Sequence, residues 1–305
     1  MKKVIITGAN GFIGRYLVNE LLNNDYEVWA VIRNEKSNVV GMPEGNIHYV
    51  YCELNNIKEL VHLIPERGFA CFYHLAWEGN SGEKRSNYSL QLRNAEACVN
   101  AAIAADALQC KRFVGAGSIT ELMYKDYLGQ DKSTPDMVTC YAIGKMAAEY
   151  LTKCQCNDLK IEFVWTYISN FYGVGDTTKN FINFLIKSYS ERIVPQLTSG
   201  EQYADFMYVT DVARALIAVA ERGHENTSYY IGYGQPQPLK EFVVLIKNMI
   251  CPSLDTGLGK KEFHGISVDF DNIDYKKLQR DTGFEPSITF ETGIEKTIKW
   301  FKIMN

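Results

Sequence analysis

A glycine-punctuated turn, Thr7-Gly8-Ala9-Asn10-Gly11-Phe12-Ile13-Gly14, stands between a short β-branched run, Lys3–Thr7, and an amphipathic stretch from Phe12 to Leu22. In that stretch Phe12, Ile13, Tyr16, Leu17, Leu21 and Leu22 recur at helical spacing. Residues without a Cβ let the backbone turn tightly and approach a pyrophosphate closely. The helix start behind them offers unpaired N–H groups and a positive dipole end. Strand, turn and helix in that order point to dinucleotide binding through Gly8, Asn10, Gly11, Phe12, Ile13 and Gly14. The competing explanation is a bare tight turn ahead of a helix, and the clean strand directly before the turn weighs against it.

The first half of the chain keeps alternating. Glu27–Ile32, Ile47–Tyr51, Cys71–Leu75, Arg112–Ala116 and Ile161–Ile168 read as strands; Ile57–Ile64, Asn87–Ala105 and Tyr141–Cys154 read as helices. Such alternation predicts an α/β fold, a doubly wound Rossmann-type parallel sheet with helices on both faces. After Asn170 the composition shifts to Tyr, Asn, Thr and Pro with longer loops. Residues 1–169, with returning segments at about 205–222, are expected to form the dinucleotide domain. Residues from about 170 to 305 are expected to form a smaller C-terminal α/β lobe that faces substrate. The 305 residues suffice for this, and 46% hydrophobic with 22% charged residues is ordinary for a globular enzyme.

Composition also excludes classes. A net charge of −4 gives no general attraction to nucleic acid or to an anionic membrane. No apolar run approaches the ~18 residues of a spanning helix, and Val4-Ile5-Ile6 is too short for a signal segment. The eight cysteines are scattered; Cys154 and Cys156 form a C-x-C pair without the further ligands of a closed zinc site, so no metal is expected. Together these features predict a cytoplasmic enzyme.

Arg33 ends the second strand, where an acid commonly holds the ribose 2′-OH of NAD; an arginine there favours the 2′-phosphate of NADP(H), with NAD the alternative and a solvated surface arginine the plain explanation. Glu53 and Leu54 follow the third strand, in position to flank an adenine ring. Tyr141 and Lys145 lie at i and i+4 on one helix face. Hydride exchange at a carbonyl needs a proton donor at the oxygen. An ordinary tyrosine, ionising near ~10, suits that role once a neighbouring ammonium favours its phenolate. Ser118 closes the run Phe113–Gly117 at a carboxyl strand edge, where its hydroxyl can orient the same oxygen; a helix cap is its plain explanation.

Taken together these residues resemble the extended short-chain dehydrogenases/reductases of the nucleotide-sugar epimerase/dehydratase family. The turn matches T-G-x-x-G-x-x-G, His74-Leu75-Ala76 matches H-x-A, and Ser118, Tyr141 and Lys145 match the catalytic trio. Asn170-Phe171-Tyr172-Gly173 resembles N-x-Y-G, and Asp205–Ala213 resembles D-F-x-Y-V-x-D-V-A. Tyr230–Gly234 and Asp281–Phe284 with Pro286 follow the closing pattern. The resemblance implies cofactor contacts at Leu75, Ala76, Tyr141, Lys145 and Ile168, and substrate contacts at Ser118, Asn170 and Asn180. It implies a nucleotide-diphosphate sugar as substrate and a homodimer built on the helices near Asn87–Ala105 and Tyr141–Cys154.

The chain departs from the family twice. Ala204 stands where an arginine usually clamps the diphosphate, leaving Lys187 and Arg192 as candidates to replace it. Ile119 and Thr120 follow Ser118 where dehydratases place an Asp-Glu pair, with Glu121 one step out, so 4,6-dehydration is discounted. The leading expectation is an NADPH-dependent reductase of a nucleotide-linked 4-keto-6-deoxysugar. The alternative is a 4-epimerase that recycles bound NAD. A non-catalytic dinucleotide sensor is disfavoured because Tyr141 and Lys145 are both kept, and no G-x-S-x-G elbow supports a hydrolase.

Overall fold

The computed structural model describes residues 1–37, 39–130 and 134–304. Its first half runs β1 (Lys3–Thr7), α1 (Phe12–Asn23), β2 (Glu27–Ile32), β3 (Ile47–Tyr51), α2 (Leu60–Leu63), β4 (Cys71–His74), α3 (Tyr88–Ala107), β5 (Arg112–Ala116), α4 (Ile119–Leu128), α5 (Thr139–Leu159) and β6 (Glu162–Ile168). The remainder runs β7 (Asn170–Tyr172), α6 (Phe181–Ser190), β8 (Tyr203–Ala204), β9 (Phe206–Tyr208), α7 (Val209–Arg222), β10 (Thr227–Ile231), β11 (Gln237–Pro238), α8 (Leu239–Ile250), α9 (Lys276–Thr282) and α10 (Phe290–Met304).

Seven strands pair in the order β10-β6-β5-β4-β1-β2-β3, every neighbour parallel. Parallel strands covered on both faces must be apolar on both, and β1 shows it. Val4 and Ile6 enter one core with Leu17 and Leu21 of α1 and Val212 and Leu216 of α7. Ile5, between them, enters the opposite core with Cys98 and Ala101 of α3 and Ala148 of α5. The doubly wound sheet expected from the alternation is therefore present. It also takes in Thr227–Ile231, beyond the returning stretch 205–222 expected from the sequence.

Two local readings needed correction. Of the helix expected over Ile57–Ile64 only Leu60–Leu63 is α-helical, after a 3-10 turn over Leu54–Glu59. Pro65 holds the residue before it out of the helical region, and Ile64 is extended. Conversely, α4 was not expected. Ser118 and Glu121 form a capping box in front of it, the side chain of each serving the other's backbone N–H region.

A second core gathers Tyr172, Ile186, Phe206, Phe242 and Ile294 from β7, α6, β9, α8 and α10. The two aspartates of the segment Asp205–Ala213 are clips. Asp205 accepts from Tyr230 Oη at 2.6 Å and Gly234 N at 2.9 Å. Asp211 accepts from the backbones of Ser287 and Ile288, both at 2.8 Å. Among the described residues no helix is long and apolar enough to cross a membrane.

Candidate active site

The order in which successive strands are added reverses between β1 and β4, and there the carboxyl ends of the strands open a cleft of about 1820 Å³. Most residues singled out in the sequence line it: Gly8, Asn10, Gly11, Phe12, Ile13 and Gly14 from the first turn, Arg33 after β2, and Glu53 and Leu54 after β3. Leu75 and Ala76 after β4, Ser118, Tyr141, Lys145, Ile168, Asn170 and Asn180 complete the set.

The first turn is built without side chains. Gly8 has a φ of +69°, and a Cβ on it would lie 3.0 Å from Ala76 N. A Cβ on Gly14 would lie 2.2 Å from Gly8 O, so α1 packs directly onto the turn. Gly11 is extended at the N-cap and no side chain caps the helix. This turn and open helix end fit a dinucleotide pyrophosphate. Beneath it, Thr7 Oγ1 accepts from Ala76 N at 3.3 Å and meets His74 Nδ1 at 3.0 Å. Burial, helped by the Lys145 charge, holds His74 down to about 3, so the imidazole stays neutral.

Ser118 is both cap and site residue. Its Oγ accepts from Thr120 N at 3.2 Å and Thr120 Oγ1 at 2.9 Å, which leaves its own proton for a hydrogen bond to Tyr141. Tyr141 is buried, and burial pushes its phenol up to about 12 against the lowering effects of Ser118 and of the Arg85 guanidinium. Lys145, also buried, donates to Ala116 O at 2.6 Å and sits 3.8 Å from the centroid of the Trp77 ring. Burial pulls its ammonium well below the ordinary lysine range. Beside the Lys145 expected from the sequence, the Arg85 guanidinium is a further cation near the phenol, 4.8 Å from the Tyr141 ring centroid, and it favours the phenolate.

Glu121, one step out of the dehydratase acid position, has a structural place. It is buried in α4, accepting from Ser118 N at 2.6 Å and Trp165 Nε1 at 3.1 Å. Burial pushes its carboxyl upward, the Lys145 charge opposing. Asn180 also has a structural duty: its Oδ1 accepts from Asn183 N at 2.8 Å as the cap of α6, and its Nδ2 donates to Asp176 at 2.6 Å. Neither Lys187 nor Arg192 belongs to the cleft lining near Ala204. Lys187 is on the outer face of α6, 3.9 Å from Glu191, because Ile182, Leu185, Ile186 and Tyr189 take the inner face. Lys179, beside Asn180, is the described cation lining that part of the chain. Trp77 and Arg85, both on the cleft, had been passed over in an irregular polar stretch.

A glycine turn of this kind on this strand order belongs to the Rossmann-type oxidoreductases, and the tyrosine–lysine pair narrows the class to short-chain dehydrogenases/reductases of the extended type. The chain is a member of the NAD dependent epimerase/dehydratase family, whose profile matches residues 4–232. It is 27% identical over 304 residues to CDP-abequose synthase of Salmonella typhimurium, covering 97% of each chain. It is 25% identical over 339 residues to dTDP-glucose 4,6-dehydratase 1 of Escherichia coli, covering 98% of this chain and 92% of that one. Among solved structures, the Bordetella bronchiseptica enzyme WbmF in complex with NAD+ and UDP shares the fold, with a TM-score of 0.77, 20% identity, and coverage of 99% of this chain and 92% of that one. The chain is thus an NAD-dependent enzyme of the nucleotide-sugar epimerase/dehydratase type.

Proposed function

We propose that this chain reduces the 4-keto group of a nucleotide-linked 6-deoxysugar, with NADPH preferred and NADH as the alternative. The observation that carries this reading is the pairing of Ser118, Tyr141 and Lys145 on one cleft with Ile119 and Thr120, not an acid pair, directly after the serine. The similarity to CDP-abequose synthase, whose name denotes a nucleotide-linked deoxysugar, supports it.

When bound, the nicotinamide supplies hydride to the sugar carbonyl carbon. Tyr141 gives its phenolic proton to the carbonyl oxygen, and Ser118 holds that oxygen by a hydrogen bond. Lys145 leaves Ala116 O to hold the ribose beside Tyr141. The turn Gly8–Gly14 receives the pyrophosphate, with Asn10, Phe12 and Ile13 against it; Glu53 and Leu54 flank the adenine, and Arg33 meets a 2′-phosphate. Leu75, Ala76 and Ile168 enclose the cofactor between the strand ends. Asn170 and Asn180 face the sugar nucleotide, and Lys179 takes over from the arginine missing at Ala204.

The division into a dinucleotide domain and a substrate lobe from about Asn170 onwards belongs to the same proposal. So does a homodimer: α3 and α5 leave Leu92, Ile143, Tyr150 and Leu151 exposed, and a second copy of that surface would cover them. Sedimentation of Leu151→Glu as a monomer, against a wild-type dimer, tests this; a monomeric wild type removes it. Eight free cysteines suit the reducing cytoplasm.

Incubation with NADPH or NADH and a panel of nucleotide-linked 4-keto-6-deoxysugars should discharge the nicotinamide absorbance. No turnover on any of them overturns the proposal. Tightly retained NAD, with sugar interconversion and no added cofactor, moves the assignment to a 4-epimerase.

A further inference from the structure

The segment between β4 and α3 is polar and carries only a 3-10 turn over Gly82–Ser86, yet α3 grips it with two buried amides. Gln91 accepts from Trp77 Nε1 at 2.9 Å and donates to the carbonyls of Gly79 at 3.1 Å and Lys84 at 3.0 Å. Asn94 pairs both ways with the Glu78 backbone, at 3.1 and 2.7 Å. The two amides are only 1% and 2% exposed. On the other side of Gln91 lies Gly144 of α5, where a Cβ would come within 2.9 Å of Gln91 Cβ. Buried amides satisfied on both ends fix a segment in one arrangement, and α5, which carries Tyr141 and Lys145, is packed against the fixing group.

That arrangement delivers two side chains to the catalytic helix. Trp77 covers the Lys145 ammonium and meets the Tyr141 ring edge-on at 6.1 Å. Arg85 is steadied by a 2.8 Å bond from its Nε to Asn80 O, and its guanidinium lies 4.8 Å from the Tyr141 ring centroid, on the cleft. Around Tyr141 stand Arg85 from this loop, Glu121 from α4, Ser118 at the α4 cap and Lys145 one turn along α5. Lys145 faces Glu121, Cys98 and His74 in turn. Arg85 favours the phenolate and Glu121 opposes it.

We propose that Arg85 is a positioning residue for the Tyr141 proton, its guanidinium held over the ring by the Gln91-braced loop to stabilise the tyrosinate left when the proton departs. The step balances: the Tyr141 O–H bond breaks, an O–H bond forms on the sugar oxygen, and the charge left on Tyr141 faces Arg85. This inference rests on the reading of Tyr141 as the proton donor.

Taking the 4.8 Å between the guanidinium and the ring centroid as the charge separation, with an effective dielectric of about 20 to 80, removing the cation raises the pH at which Tyr141 ionises by about 0.6 to 2.5 pH units. Protein carrying tyrosine labelled with carbon-13 at Cζ reads this directly without substrate, the resonance missing from Tyr141→Phe being that of Tyr141. Its displacement between about pH 8 and about pH 10.5 reports the ionised fraction. Arg85→Met, which keeps the aliphatic stem, should shrink that displacement about fourfold or more, and Arg85→Lys should restore most of it. Equal displacements in wild type and Arg85→Met overturn the proposal. In turnover, Arg85→Met should move the alkaline limb of kcat upward with little change in KM for the sugar nucleotide. A raised KM on an unmoved profile makes Arg85 a substrate-binding residue and also overturns it. Full turnover by Tyr141→Phe would sink the reading of Tyr141 instead, so the two failures are told apart.

Discussion

Replacing Gly14 with alanine places a methyl group where the backbone of the first turn already is. Its Cβ would stand 2.2 Å from Gly8 O and 2.7 Å from Ala9 O. Ordinary contact begins at 3.4 Å, so α1 must retreat from the turn by about 1 Å. Neither neighbour is a flexible side-chain end, so neither can yield alone. Gly14 is within α1 and its φ is not positive; the effect is therefore steric and alanine's higher helix propensity offsets only part of it. Forced overpacking costs about 1–3 kcal/mol, or roughly 1.5 to 5 °C in Tm for a chain of this size. The same retreat takes the N–H groups at the start of α1 out of reach of a pyrophosphate. Losing one such charge-assisted bond, about 1.5–3 kcal/mol, weakens cofactor binding tenfold or more. Thermal unfolding and nucleotide titration by NADH or NADPH fluorescence measure both. Gly11→Ala is the internal control: its Cβ meets Gly8 O at 3.1 Å, a shortfall of a few tenths of an ångström, and its loss of Tm should be smaller. A Gly14→Ala protein with wild-type Tm and affinity, or one indistinguishable from Gly11→Ala, refutes the reasoning.

Glu121→Gln sets an amide N–H against one of two N–H donors, Ser118 N or Trp165 Nε1. It should cost about 1–3 kcal/mol in denaturant unfolding, and an unchanged midpoint contradicts the assignment. His74, held down to about 3 in the folded chain against an ordinary value near 6.5, leaves the unfolded chain binding the extra proton below about pH 6.5. Stability is therefore lost as pH falls through that window, by about 2 kcal/mol between about pH 7 and about pH 5 from this residue. Urea unfolding of His74→Gln should lose that much less over the same interval; an equal loss assigns the acid sensitivity elsewhere. Arg33→Glu should weaken NADPH about tenfold or more and leave NADH within a few-fold, and equal losses for the two cofactors remove Arg33 from 2′-phosphate recognition.

The first turn was legible because everything it needs is local: a strand, three glycines and a helix within a dozen residues. The sheet was legible for a related reason, since β1, β2, β4 and β5 are buried on both faces and so nearly continuous in apolar residues. The start of α4 was also written locally, as Ser118-x-x-Glu121, but the serine was weighed mainly as a substrate ligand and the helix behind it was missed. Lys187 could have been set aside by the same means, because the apolar spacing in α6 turns it outward. Arg85 and Trp77 had no such signal. They come from an irregular segment distant in sequence from Tyr141, and only Gln91 and Asn94, folded beneath the segment from α3, bring them to the catalytic helix.

In the proposed reaction hydride reaches the sugar at C4 while Tyr141 supplies the proton. Reduced cofactor carrying deuterium on the transferred face of the nicotinamide, incubated with a nucleotide-linked 4-keto-6-deoxysugar, tests it most directly. One deuterium is expected at C4 of the product, with one cofactor oxidised for each sugar reduced and transfer lost in Tyr141→Phe although cofactor still binds. A product without deuterium at C4, or transfer at the wild-type rate in Tyr141→Phe, would contradict it.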